Sequence, residues 1–255
     1  MQNGILSSLS YPTPALAILV PVLIALVVPY LLGSLNTAVV VSRLLYGEDI
    51  RQKGSGNAGL TNMLRIYGKK AALWVLLGDV LKMVLSLLFT GLFLGFQYGP
   101  YAFSLNPFLY LAGVACILGH IFPVYFRFKG GKGVLCTAAM VLVLSPFVFL
   151  FEILIFILLL VVTHYVSLSS IVVGLAYPLM LNRIMALFGY PVTDGMILLL
   201  SVLVGLLILY CHRSNIVRLK ERRENRFYFS SAKRAAEKER RAREDAELKK
   251  AGRRK

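Results

Sequence analysis

Apolar residues run in long, nearly unbroken stretches along this chain, with the polar residues bunched between them. The runs near 15–44, 70–95, 104–120, 167–188 and 193–211 reach or approach the roughly 20 residues that a helix needs to cross a hydrocarbon core. The run at 134–164 is too long for one ordinary span, and it contains Ser145-Pro146, where proline removes a backbone donor and tends to break a helix. It is either one kinked span or a hairpin of two helices.

Charge placement chooses between the two. Residues 1–42 and 83–126 carry no charge, and 133–182 carry only Glu152. Lys and Arg concentrate at 43–82, at 127–132 and from Arg213 onward. By the positive-inside rule these basic windows face the cytoplasm and the uncharged N-terminus lies outside. An outside start and an inside finish require an odd number of crossings, so 134–164 is expected to be a hairpin. The predicted fold is therefore all-α: a polytopic integral membrane protein with seven transmembrane helices. Its fourth helix, starting at Val134, is short and must be shielded by its neighbours. Three regions follow: an extracytoplasmic segment 1–14, a membrane domain 15–215 and a basic cytoplasmic tail 216–255.

Composition agrees, with 58% hydrophobic residues and a mean hydropathy of +0.73, too apolar for a single soluble core. No positive region precedes the first span, so that span is expected to stay in the mature protein. The tail alternates acid and base without an apolar stripe, which suits either attraction to anionic membrane lipids or a solubilising extension. Despite a formal charge of +16, no nucleic-acid motif or aromatic interleaving is present, and no nucleic-acid partner is expected. Cys116, Cys136 and Cys211 lie far apart in or beside apolar runs, without the spacing of a zinc site, and are expected to be core residues. No metal and no cofactor is called for.

Four segments on the predicted cytoplasmic face hold residues that anchoring alone does not need. Residues 51–65 set Ser55, Asn57, Thr61, Asn62 and Arg65 around Gly54, Gly56 and Gly59. Glycines let backbone amides approach an anion, and the bases supply charge. These glycines match GxGxxG formally, but no strand precedes them, which argues against a dinucleotide fold. Residues 119–133 place Lys129, Gly130, Gly131 and Lys132 just before the short fourth helix, and a Gly-rich loop at a helix N-terminus suits an anion. The loop is not a Walker motif, because Gly133 stands where Ser or Thr is required. Tyr165–Ser170 and Cys211–Asn215 add Ser167, His212 and Asn215. Together they form a site suited to a dianionic phosphorylated substrate.

The order of these motifs resembles the acyl-phosphate-dependent glycerol-3-phosphate acyltransferases, the PlsY family. The likeness runs from Tyr30 to Asn225. It rests on Gly33-Ser34, Gly-Ser-Gly-Asn-x-Gly-x-Thr-Asn at 54–62, Gly-Lys-Lys at 68–70, Asp79 with Lys82, and Gly-His-x-Phe-Pro-Val at 119–124. Phe-Lys-Gly-Gly-Lys-Gly at 128–133, Tyr-Val-Ser-Leu at 165–168 and His-Arg-x-Asn-Ile at 212–216 complete it. Leu60, Leu135-Cys136 and the terminal extensions depart from the family's pattern.

The resemblance implies transfer of a fatty acyl group from acyl phosphate to the first hydroxyl of glycerol 3-phosphate in a bacterial inner membrane. It carries Ser55, Asn57, Arg65, Lys132, Ser167, His212 and Asn215 over as site residues. Ser55, Lys132 and His212 are the expected catalytic groups. Asn57, Asn62, Arg65, the Gly130 and Gly131 amides, Ser167 and Asn215 are the expected substrate ligands. None of His120, His164 and His212 has an Asp five positions later, so the HxxxxD pair of the other acyltransferase class is missing. A transporter of phosphorylated metabolites would explain the spans and bases, but no internal repeat is evident. A membrane scaffold would leave the glycine loops unexplained. For Asp79 and Lys82, a mutual ion pair in lipid and a substrate contact both remain open.

Overall fold

The computed structural model describes residues 14–94 and 106–228, and every described regular element is helical. The expected segment 1–14, apart from Pro14, and the tail beyond 228 lie outside the described residues. Helix α1 (Pro14–Ser34) is followed after a short break by α2 (Thr37–Tyr46), then by α3 (Leu60–Ile66), α4 (Gly68–Leu94) and α5 (Pro107–Ile121). Helices α6 (Val134–Leu144), α7 (Pro146–Thr163), α8 (Val166–Leu187), α9 (Gly195–Cys211) and α10 (Arg213–Lys220) complete the order.

Among the described residues, five stretches are long and apolar enough to cross a membrane: Leu19–Tyr46, Gly68–Phe93, Pro107–Phe126, Pro146–Thr163 and Val166–Leu187. The pair α9–α10, bent by 54°, makes a sixth if taken as one span, and α6 is a shorter apolar helix. The expected break at Ser145-Pro146 is present: Ser145 leaves helical geometry at φ −149° and ψ 66°, and Pro146 opens α7. The run at 15–44, expected to be one span, is broken between Ser34 and Thr37, where Asn36 caps α2 by accepting from the Val39 N–H at 3.1 Å.

That break is held from inside the bundle. The Lys82 ammonium donates to the carbonyls of Gly33 at 3.1 Å and Leu35 at 3.2 Å, so it satisfies the exposed C-terminal end of α1. It also pairs with Asp79 at 2.9 Å, and Thr37 Oγ1 donates to the same carboxylate at 3.0 Å. The ion pair left open by the sequence is therefore formed. Each charge offsets the other's loss of water in an apolar setting.

Helices α1 and α5 touch through their backbones. A Cβ at Gly33 would stand 2.1 Å from the Cys116 carbonyl oxygen, and one at Gly119 would stand 2.2 Å from that of Tyr30. Small residues at a helix contact allow this approach in a membrane, where van der Waals packing drives association. Because α5 leads directly into the loop at 122–133, this contact fixes where that loop begins. Tyr30 Oη donates to the Phe122 carbonyl at 2.8 Å, and the Val124 N–H donates to Ser34 Oγ at 3.3 Å.

Candidate active site

The loop at 53–59 is wound around one side chain. Asn62, on the first turn of α3 and 1% exposed, donates through Nδ2 to the carbonyls of Lys53 at 2.9 Å and Asn57 at 3.1 Å. Its Oδ1 accepts from the Ser55 N–H at 3.1 Å. Gly54 lies against that oxygen with φ +57°, where a Cβ would come within 2.4 Å of it. Asn62 thus shapes the loop and presents Ser55, whose exposed hydroxyl stands at the cavity wall.

Arg51 joins this loop to the next. Its Nη1 donates to the carbonyls of Phe126 at 2.9 Å and Lys129 at 3.0 Å, while Nε and Nη2 grip Asp49 at 2.9 and 2.7 Å. The Arg51 hydrogen bonds hold the Asp49 carboxyl well below the usual carboxylate range, against the opposing effect of burial. Sequence reasoning did not single Arg51 out, since nothing separates it from the other bases of its window.

The second loop corrects one expectation. The N–H groups of Gly130 and Gly131, expected to face substrate, donate instead to the carbonyls of Ile121 and His120, both at 3.1 Å. The glycines are needed for space. A Cβ on Gly130 would sit 2.0 Å from the His120 carbonyl oxygen, and one on Gly131 would sit 2.1 Å from His120 Nε2. The amides left for an anion are those of the first turn of α6, which have no intrahelical acceptor and follow Gly133 at φ +79°.

His120 in turn packs on the buried pair. Its Nδ1 lies 3.0 Å from the Lys82 ammonium, which can only donate, so Nδ1 accepts. Asp79, His120 and Cys136 bring potential ligand atoms within 4.8 Å of one another, the kind of set that can hold a metal. The Lys82 ammonium, bonded to both Asp79 and His120, already supplies a positive charge there.

The remaining residues form a chain of polar contacts. The Lys132 ammonium donates to Asn215 Oδ1 in a very short contact. Asn215 Nδ2 donates to Glu224 Oε1 at 2.7 Å, Ser167 Oγ donates to the same oxygen at 3.0 Å, and Arg218 Nε holds Glu224 Oε2 at 2.7 Å. Glu224 is 6% exposed, because residues 221–228 fold back over the start of α8. The Phe227 N–H donates to the His164 carbonyl at 2.7 Å. The expected boundary at 215/216 therefore falls inside α10, and the site wall extends into what was expected to be a solvated tail. Glu224 went unnoticed because it lies among alternating charges, whose pattern gives no sign of burial.

Burial disfavours the charged form of Lys132 and lowers its pKa to about 8, although the Glu224 carboxylate opposes the change. His212 is also buried, and burial followed by the nearby Lys132 charge lowers its pKa to about 4. Its Nδ1 donates to the Ile208 carbonyl at 2.8 Å, which leaves a neutral ring with Nε2 as acceptor.

All ten expected site residues lie on the wall of one cavity of about 690 Å³. Its polar mouth continues into an apolar arm between α6, α7 and α8, lined by Ala138, Phe149, Ile153, Phe156 and Val173. Fold and site define an integral membrane protein whose cavity joins cationic and polar side chains to an apolar groove.

The comparisons with known proteins agree. The chain belongs to the glycerol-3-phosphate acyltransferase family, whose model matches residues 23–222. It is 39% identical over 215 residues to the glycerol-3-phosphate acyltransferase of Enterococcus faecalis, covering 82% of this chain and 93% of that one. The counterpart from Bacillus cytotoxicus is 39% identical over 206 residues, covering 80% and 94%. Two crystal structures of PlsY, an integral membrane glycerol 3-phosphate acyltransferase, are each 36% identical and cover 81% of this chain. The glycerol 3-phosphate form matches with a TM-score of 0.69 over 96% of its chain, and the lysophosphatidic acid form with 0.67 over 95%.

Proposed function

We propose that the protein transfers a fatty acyl group from an acyl phosphate to the sn-1 hydroxyl of glycerol 3-phosphate, giving lysophosphatidic acid and phosphate for membrane phospholipid synthesis. The observation that carries this reading is the continuity of the cavity, whose Lys132 and α6 amides meet an apolar arm fit for an acyl chain. The relatives' activity and the glycerol 3-phosphate and lysophosphatidic acid forms of PlsY support the acceptor and the product. The acyl phosphate donor is supported by the lack of an HxxxxD pair and by a mouth with two cationic sides, Arg65 and Lys132.

The hydroxyl oxygen of glycerol attacks the acyl carbonyl carbon, an ester bond forms, and the acyl–oxygen bond to phosphorus' oxygen breaks with its electron pair leaving on phosphate. An acyl phosphate already carries a stable leaving group, so no acyl-enzyme is required. Lys132, Ser55 and the α6 amides stabilise charge at the carbonyl and departing phosphate. Arg65 and Asn57 hold the phosphorylated substrates, and His212 Nε2 accepts from the attacking hydroxyl. Its low pKa makes His212 an orienting acceptor, with the proton passing to a phosphate oxygen. Asn62, Ser167 and Asn215 spend their polar groups on neighbours and act by positioning.

The chain crosses a bacterial inner membrane seven times, with α6 as the short fourth crossing, the N-terminus outside and the site at the cytoplasmic face. The basic tail beyond 228 lies in the cytoplasm, and the membrane domain reaches to 228. The donor is tested by offering purified protein glycerol 3-phosphate with palmitoyl phosphate, palmitoyl-CoA or palmitoyl acyl carrier protein. Turnover with the phosphate alone is expected, and turnover with a thioester alone contradicts the assignment.

A further inference from the structure

Glu152 belongs to none of the site's polar contacts. It is the sole charged residue between 133 and 182, it is 6% exposed, and its Oε1 has no hydrogen-bond partner among the described residues. A carboxyl in this state inside a membrane helix invites a functional reading. It nevertheless lines the cavity, on the apolar arm beside Phe149, Ile153 and Phe156.

Helix rise gives its depth. His164, at the end of α7, bonds the segment that covers the site, so Glu152 lies about 18 Å further along the helix axis. Tyr177 lines the same cavity and sits about 16 Å along α8 from Val166. Two helices thus place polar side chains at similar depth on an otherwise apolar wall.

We propose that Glu152 forms a polar floor to the apolar arm and sets the length of acyl chain that the enzyme accepts. The proposal rests on the reading of the arm as the seat of an acyl donor's tail. Oε1 is closed off from the cavity, so the carboxyl meets water there only through its other oxygen, and a chain that stops short of Glu152 leaves that contact in place. A longer chain presses methylene groups against it and strips that water, with no protein partner to replace it. Discrimination by length follows, because each methylene that fits or fails to fit changes transition-state binding.

The test compares kcat/KM for stearoyl and lauroyl donors. Glu152→Leu is expected to raise the stearoyl-to-lauroyl ratio about tenfold, within the range of methylene discrimination. Glu152→Gln, which keeps a polar floor, is expected to stay within about twofold of wild type. Neither change should alter KM for glycerol 3-phosphate, and Glu152→Met serves the same purpose if the leucine variant does not accumulate. The ratio is read with whichever acyl donor supports turnover. A ratio unchanged in the apolar variants, or raised as far in Glu152→Gln, overturns the proposal, whereas no turnover with any acyl donor overturns the functional reading beneath it.

Discussion

The Lys132 ammonium donates a hydrogen bond to Asn215 Oδ1, and that bond ties the loop before α6 to the first turn of α10. Asn215 is held from the other side by Glu224, so one carboxylate fixes where the ammonium points. An ammonium has three donors, and this contact uses one of them.

The pH profile should report this arrangement. Lys132 is charged below its lowered pKa and loses its proton as pH rises through about 8. The free-enzyme parameter kcat/KM is therefore expected to fall on the alkaline side with an apparent pKa near 8. Glu224 opposes the lowering, so Glu224→Gln should move the limb to lower pH. A profile flat to pH 10 would detach Lys132 from the limb.

Arg51 is expected to matter without touching substrate. Removing it frees two carbonyls of the second loop and leaves Asp49 short of a partner. Arg51→Ala should lower kcat/KM by about 1.5–3 kcal/mol. Arg51→Lys should recover only part of that, because a single ammonium centre cannot reach Asp49 from Nε and Nη2 and the two carbonyls from Nη1, as the wide planar guanidinium does. Equal kinetics for Arg51→Lys and wild type would contradict the bridging role.

Gly131→Ala keeps the amide but adds a Cβ that collides with His120. Both activity and thermal stability are expected to drop, read as initial rate and as the midpoint of thermal unfolding in detergent. A loss of activity with stability unchanged would argue for a substrate role instead.

Much of the site was legible because membrane proteins concentrate polar residues where they are used. Ser55, Lys132 and His212 stand out against apolar spans, and Ser145-Pro146 marks the break between α6 and α7 through the chemistry of proline. Three features stayed hidden for different physical reasons. The break at 35–36 is unmarked by hydrophobicity, since apolar residues flank it and Lys82, distant in sequence, stabilises it. Gly130 and Gly131 suggest anion binding by composition, but whether an N–H is free depends on the fold around it. Glu224 needs the return of residues 221–228 to be buried at all.

Membrane topology has a direct readout. Ser145 is fully buried, which makes the break between α6 and α7 a poor labelling site, whereas Thr193 and Tyr125 are exposed. In a background free of Cys116, Cys136 and Cys211, Thr193→Cys should react with an impermeant maleimide added outside. Tyr125→Cys should react only after the membrane is opened. The reverse pattern would invert the proposed orientation.

If His212 orients the hydroxyl, His212→Gln retains an acceptor and should keep kcat within about tenfold of wild type. A loss of about 1000-fold or more, in the range of general-base removal, would assign it the proton.

The most direct measurement is made on purified protein given glycerol 3-phosphate and palmitoyl phosphate, with wild type and Lys132→Ala side by side. Phosphate and lysophosphatidate are quantified together, and the protein is weighed by mass spectrometry during turnover. Equal amounts of the two products are expected from wild type, with no acylated protein and with turnover nearly abolished in Lys132→Ala. An acyl adduct that forms and decays at the catalytic rate, or undiminished turnover without Lys132, would contradict direct transfer at this site.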